Sequence, residues 1–166
     1  MSKKHNYKAT IEWTGNLGEG TSGYKSYDRC HSIKIEGKSE IETSSDPSFR
    51  GDPTRHNPEE LFLSSISSCH MLWFLHLCSV EGVIITEYVD HAEGTMKEKN
   101  NGSGRFTEVI LNPSVTISEE RMANKLDSIH QKANQMCFIA NSCNFPVKHN
   151  SSFQVAQQIK KRKDYD

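Results

Sequence analysis

The sequence predicts an α+β fold: an antiparallel β-sheet with a long buried central helix and a second, amphipathic helix. Three observations carry this. Residues 57–82, NPEELFLSSISSCHMLWFLHLCSVEG, form one long apolar stretch with helix-start and helix-stop residues at its ends. Short segments with strand-like alternation stand before and after it. A further stretch, residues 118–137, carries apolar residues at helical spacing. Strands and helices that come in blocks, rather than in strict alternation, favour α+β with antiparallel pairing.

The first strand is read from Tyr7, Ala9, Ile11 and Trp13, which alternate with Lys8, Thr10 and Glu12. The glycine-rich segment 14–23 lacks the order of a phosphate-binding loop and is read as a hairpin connection. Residues 24–36 predict a second strand and residues 39–43 a third. The polar, Pro- and Gly-rich segment 44–56 then leads into the central helix. Asn57 is placed to cap that helix, Pro58 suits its first position, and Glu59 and Glu60 suit its positive end. Its apolar residues spread round nearly the whole circumference, which predicts burial in the centre of a domain or of a dimer. Gly82 ends it.

Residues 83–96 and 105–117 predict two long paired strands, the second bent at Pro113, which cannot donate to a ladder. Ser118 is expected to cap the second helix. Its stripe is Met122, Leu126, Ile129, Ala133 and Met136/Cys137, so Cys137 falls at the end of the buried face. A last short strand is expected near residues 153–155. The whole, residues 1–166, reads as a single domain with a core over 7–155 and a charged tail over 157–166.

A formal net charge of -1 gives no electrostatic reason to expect a nucleic acid or an anionic membrane as partner. Five cysteines at irregular spacing do not form a secreted disulfide framework, and the N-terminus has no apolar core of a signal peptide. The central helix is interrupted by serines, His70 and His76, which makes it a poor membrane span. The expectation is a soluble, cytoplasmic protein with free thiols.

Cys69 sits midway along the central helix, after the small residues Ser64, Ser65, Ser67 and Ser68. Cys69 and Cys137 lie on the buried faces of two different helices, where packing can bring them together, and an intracellular thiol pair is what a reversible disulfide requires. A reactive thiol also needs a cation nearby, and Arg29, Arg50 and Arg55 all precede the helix. A zinc site built from Cys69, His70, His76 and Cys78 is not expected, because the residues diverge around the helix. His70 is read as a core or interface histidine.

The segment Asn57-Pro58-Glu59-Glu60-Leu61 leading to Cys69, followed further on by Ala133 and Cys137, resembles the signature of the OsmC/Ohr family of thiol peroxidases. The resemblance implies an intertwined homodimer that reduces organic hydroperoxides. It implies Cys69 as the peroxidatic cysteine, Cys137 as the resolving one, Glu59 as the glutamate that holds the catalytic arginine, and Arg50 as that arginine. Cys143 is the competing resolving partner. It implies no bound cofactor or metal, only an external dithiol reductant such as a lipoyl group. Phe62, Ile66, Trp73 and Phe138 are the expected lining of an apolar substrate pocket. Glu59 and Cys69 are ten residues apart, about 15 Å along a straight helix. Glu59 is therefore expected to act through the arginine or across a subunit boundary. The chain departs from the family after the second cysteine, with Cys137-Phe138-Ile139-Ala140 in place of Cys-Pro-x-Ser. The alternative expectation, from a different class, is a non-catalytic protein of the same fold that binds a small apolar ligand in its dimer cleft.

Overall fold

A computed structural model describes residues 3–157. The charged tail lies almost wholly outside the described residues. The chain divides into two compact units, residues 1–62 and 63–166.

The first unit holds β1 (Thr10–Trp13), β2 (His31–Lys34) and β3 (Ile41–Thr43), an antiparallel sheet in that order. Its register sets Ile11 beside Ile33 and Ile33 beside Ile41, an apolar row on one face. The other face is polar: Lys34 pairs with Glu12 and with Glu40. Ile11 is 62% exposed and Ile41 38%, so this chain leaves much of the row uncovered. The expected second strand shrinks to four residues. Residues before it are held in turns by Arg29, whose guanidinium donates to the carbonyls of Tyr24 and Tyr27.

Helix α1 (Pro58–Val80) begins in the first unit and runs into the second. Asn57 caps it as expected: its Oδ1 accepts from the Glu60 amide at 2.8 Å, and Glu60 returns a carboxylate to the Asn57 amide at 3.2 Å. This reciprocal pair satisfies two backbone donors that a helix start otherwise leaves open. Gly82, at φ 69°, ends the helix, with the Val83 amide donating back to the Cys78 carbonyl. A left-handed residue at this position favours glycine.

The expected all-round burial of α1 is not found within one chain. Ile66, His70, Phe74, Leu77 and Cys78 form one buried stripe. On other sides Leu72 is 63% exposed and Val80 67%. By length and composition α1 is apolar enough to cross a membrane, which its interruptions did not lead us to expect. Its buried stripe instead joins the core of the second unit.

The second unit contains β4 (Ile85–Asp90), β5 (Glu93–Glu98), β6 (Gly104–Leu111), β7 (Pro113–Ile117), α2 (Leu126–Met136), β8 (Val147–His149) and β9 (Ser152–Val155). They make two three-stranded sheets, β4-β7-β9 and β5-β6-β8. The two long strands expected from the sequence are each broken into two, so one long hairpin supplies both sheets. Asp90 stabilises the break: one carboxylate oxygen accepts from the Asn112 amide at 2.7 Å, the other from the Ser67 hydroxyl of α1 at 2.5 Å. Pairing is mixed rather than purely antiparallel, because β8 and β9 join in parallel. The sequence reading missed β8, three residues long.

Phe74, Leu77 and Cys78 of α1 pack with Val115 and Ile117 of β7 and with Met122, Leu126, Ile129 and Ala133. The last four are the stripe read from the sequence. The expected cap at Ser118 is replaced by a 3-10 turn, Glu120–Lys125, and α2 begins only at Leu126. The Ser118 hydroxyl instead faces the Met122 sulfur.

Asn57→Ala removes the reciprocal cap and is expected to cost about 1 kcal/mol. Thermal unfolding followed by circular dichroism should show a Tm lower by roughly 2–4 °C; an unchanged Tm would deny the cap any energetic role.

Candidate active site

Cys69 stands half-buried in the middle of α1, and Cys137 is the fully buried residue that closes α2. The two thiols are near enough for Cys69 to influence the ionisation of Cys137. The Cys137 thiol also lies 4.0 Å from the Ile66 carbonyl one turn back along α1, and the Ala140 amide points at its sulfur at 3.4 Å. The missing proline does not prevent this meeting. At Cys137 the backbone turns extended, with ψ 107°, and the Asn141 amide then closes on the Cys137 carbonyl at 3.0 Å.

Burial pushes the Cys137 thiol up, and the nearby Cys69 pushes the same way, outweighing the opposing backbone N–H groups. Cys137 is thus held as a neutral thiol. Cys143 is tied to its own turn, donating to the Ile139 carbonyl at 3.3 Å. Cys78 is a core filler, as expected, its thiol pushed up to about 12 by burial.

Of the expected pocket residues, Trp73 and Phe138 come together edge to face, with ring centres 5.6 Å apart. Phe138 is 69% exposed, so this aromatic pair borders solvent beside Cys137. Ile66 is fully buried and contributes its carbonyl rather than its side chain. Phe62 is half-buried at the end of the first unit.

The three candidate arginines lie in the first unit and differ in what already occupies them. Arg29 is sandwiched between Tyr24 and Tyr27, 4.5 and 4.3 Å from the ring centres. Arg55 pairs with Glu42 and Asp52 at 3.6 and 3.5 Å. Arg50 has no carboxylate partner among the described residues and only skirts the Tyr24 ring at 6.0 Å. Its backbone is left-handed, φ 67°, unlike any other described non-glycine residue. That conformation costs an L-residue about 1–2 kcal/mol, and such strain is concentrated at functional positions. Next to it, a Cβ on Gly51 would lie 1.5 Å from the Ser45 carbonyl oxygen, so the Arg50-Gly51 turn has little latitude. Glu59 is half-buried, and its carboxylate has no hydrogen bond or ion pair among the described residues.

The sequence reading missed a group of imidazoles. His70, His130 and His149 stand with ring centres 5.4 to 5.6 Å apart. A signal was present: His130 lies on the α2 stripe between Leu126 and Ala133, a position that demands burial. Among the described residues, no group of three or more His, Cys, Asp or Glu is placed to hold a metal ion.

The fold is α+β, and it brings thiols from two different helices near each other. The family profile described as OsmC-like protein matches residues 51–152, and the chain belongs to that family. Among solved structures it is similar to an OsmC-like protein of unknown function from Vibrio cholerae O1 biovar eltor. The two are 28% identical with a TM-score of 0.80, over 89% of this chain and 99% of that one. An organic hydroperoxide resistance protein from Elizabethkingia anophelis shares the fold at 17% identity and TM-score 0.64, covering 94% and 100%. One from Legionella pneumophila does so at 14% and 0.63, covering 93% and 100%. Among curated proteins nothing matches.

Half-exposed Cys69 should be alkylated by iodoacetamide in the native reduced protein well before Cys137 and Cys78. Peptide mass spectrometry over a time course reads the order, and equal labelling of Cys69 and Cys137 would contradict the burial of the second thiol.

Proposed function

We propose that this protein is a thiol-dependent peroxidase that reduces organic hydroperoxides, with Cys69 as the attacking and Cys137 as the resolving cysteine. The observation that carries this reading is the approach of Cys137 to the turn of α1 that bears Cys69, its sulfur 4.0 Å from the Ile66 carbonyl. Membership of the OsmC-like family supports it, as do the hydroperoxide resistance proteins among its structural relatives.

In the first step the Cys69 thiolate attacks one peroxide oxygen. An S–O bond forms as the O–O bond breaks, and the departing alkoxide takes a proton and leaves as an alcohol. Arg50 supplies the cation that favours the thiolate and stabilises the charge on the leaving oxygen. Glu59 orients Arg50. In the second step the Cys137 sulfur displaces hydroxide from the Cys69 sulfenic acid, the thiol proton leaves with it as water, and a disulfide forms. An external dithiol, of the lipoyl class, then returns two electrons and two protons. No cofactor or metal takes part.

Buried and neutral, Cys137 is a poor nucleophile until Cys69 is oxidised, which keeps the first attack on Cys69. The Trp73–Phe138 edge, with Phe62 and Ile66, favours an alkyl chain over hydrogen peroxide. The protein works as a cytoplasmic homodimer. The partly uncovered faces at Leu72 and Val80 of α1, and at Ile11 and Ile41 of the first sheet, support the second subunit.

One equivalent of an alkyl hydroperoxide added to reduced protein should give a Cys69–Cys137 disulfide, mapped by mass spectrometry, that Cys69→Ser abolishes. In Cys137→Ser the Cys69 sulfenic acid should persist and be trapped by dimedone. If Cys69 remains a thiol, the peroxidase reading fails and binding of an apolar ligand becomes the better account. Arg50→Gly relieves the left-handed backbone and removes the cation. It should leave Tm unchanged or higher while slowing Cys69 oxidation about 100-fold.

A further inference from the structure

The three histidines have no part in the chemistry proposed above, yet they occupy the junction of the two thiol-bearing helices. His70 follows Cys69 on α1; His130 precedes Cys137 by two turns on α2; His149 closes β8. His70 Nε2 and His130 Nδ1 are 3.1 Å apart, and the rings are within 4° of parallel with centres separated by 5.4 Å. That separation is the hydrogen bond plus two ring radii, so the imidazoles lie edge to edge in one plane. Phe74 stacks on His130 at 3.9 Å, and His149 leans against both rings at 5.6 Å. The outer nitrogens, His70 Nδ1 and His130 Nε2, are buried and have no hydrogen-bond partner among the described residues. Both histidines are at least 99% buried.

We propose that the neutral His70–His130 hydrogen bond, flanked by His149, positions Cys137 against Cys69 by holding α2 to α1, and that acid releases Cys137 by protonating this cluster. The structural half stands on the geometry alone; its redox consequence rests on the peroxidase reading.

The surroundings offer a proton little compensation. From Leu61 to Val80, α1 has no charged side chain except its histidines, and His76 faces Trp73. On α2, Asp127 acts on His149 and is the one carboxylate felt at any of the three rings. On β8, Lys148 is engaged by Glu108. Burial drives His70 down to about 4, with His149 adding to the effect. Burial drives His130 down to about 3, with His70 and His149 adding. The folded pKa values thus lie below the ordinary value of about 6.5. The cluster's stabilising contribution is therefore fully present above that pH and is lost as pH falls from there toward 4 and 3.

The Trp73–Phe138 contact reports the position of Cys137 directly, because Phe138 is the next residue. Trp13→Phe leaves Trp73 as the sole tryptophan of the chain's two. In reduced protein without peroxide, its emission should change as pH falls below about 6.5, while far-ultraviolet circular dichroism stays native at the start of that change. Adding His70→Leu and His130→Phe should abolish the early transition. If that variant does not fold, His149→Gln serves: one proton fewer is linked to release, so the transition should become shallower with pH, and an unchanged slope would overturn the proposal. In parallel, diamide-driven formation of the Cys69–Cys137 disulfide should fall more steeply with acid in the protein with the intact cluster than in the double variant. Flat Trp73 emission from neutral pH down to about 4, or the same transition after loss of both imidazoles, would overturn the proposal. A clear emission transition together with no peroxide-driven disulfide at any pH would refute the peroxidase reading and leave the positioning device standing.

Discussion

A helix of 23 residues with apolar side chains round its circumference must find cover on more than one side, and a single chain covers only one. Ile66, His70, Phe74, Leu77 and Cys78 spend one stripe of α1 on the core of the second unit. Cys69 lies about a quarter-turn from that stripe, close enough to be reached from α2 but outside the close-packed centre. Both properties of the candidate site follow from this placement. The sulfur is reachable, and it is held on a rigid element whose backbone hydrogen bonds are complete. A cysteine inside the stripe, such as Cys78, is inert for the same reason that it packs well.

The two thiols have opposite environments, which is what an ordered two-step reaction requires. Cys137 is fully enclosed and kept protonated by burial, whereas Cys69 is half open beside the aromatic edge of Trp73 and Phe138. The left-handed backbone of Arg50 is a local feature of the turn before α1. A glycine there would be easier to accommodate than the arginine that occupies the position.

Much of this was legible in the sequence because it depends on local chemistry. The Asn57–Glu60 cap, the Gly82 stop and the Met122-to-Ala133 stripe are written in adjacent residues, and each appears where it was expected. The approach of the two thiols was legible only in part: Cys137 ends the buried face of α2 as read, but Cys69 lies beside the buried stripe of α1 rather than on it. What sequence did not reveal depends on distant partners. The long strands break at residues 91–92 and 112, where the Asp90 carboxylate accepts from the Asn112 amide and is itself held by the Ser67 hydroxyl, and no local pattern announces that. Strand β8 is short and gains its identity only from pairing with β6. The second helix starts late because Met122 anchors the 3-10 turn before it. The burial of His130 gains its meaning only from His70 and His149, which come from elsewhere in the chain.

The parallel strands β8 and β9 are only two residues apart, yet they edge two different sheets. One short C-terminal segment thus completes β5-β6-β8 and β4-β7-β9 together, while the broken hairpin supplies the other strands of both. Neither sheet can lose its edge independently of the other. The second unit is built to come apart in a single cooperative step, with local fraying near its end felt by both sheets at once. His149 is the last residue of β8, so the imidazole cluster sits at the seam where that cooperativity is enforced.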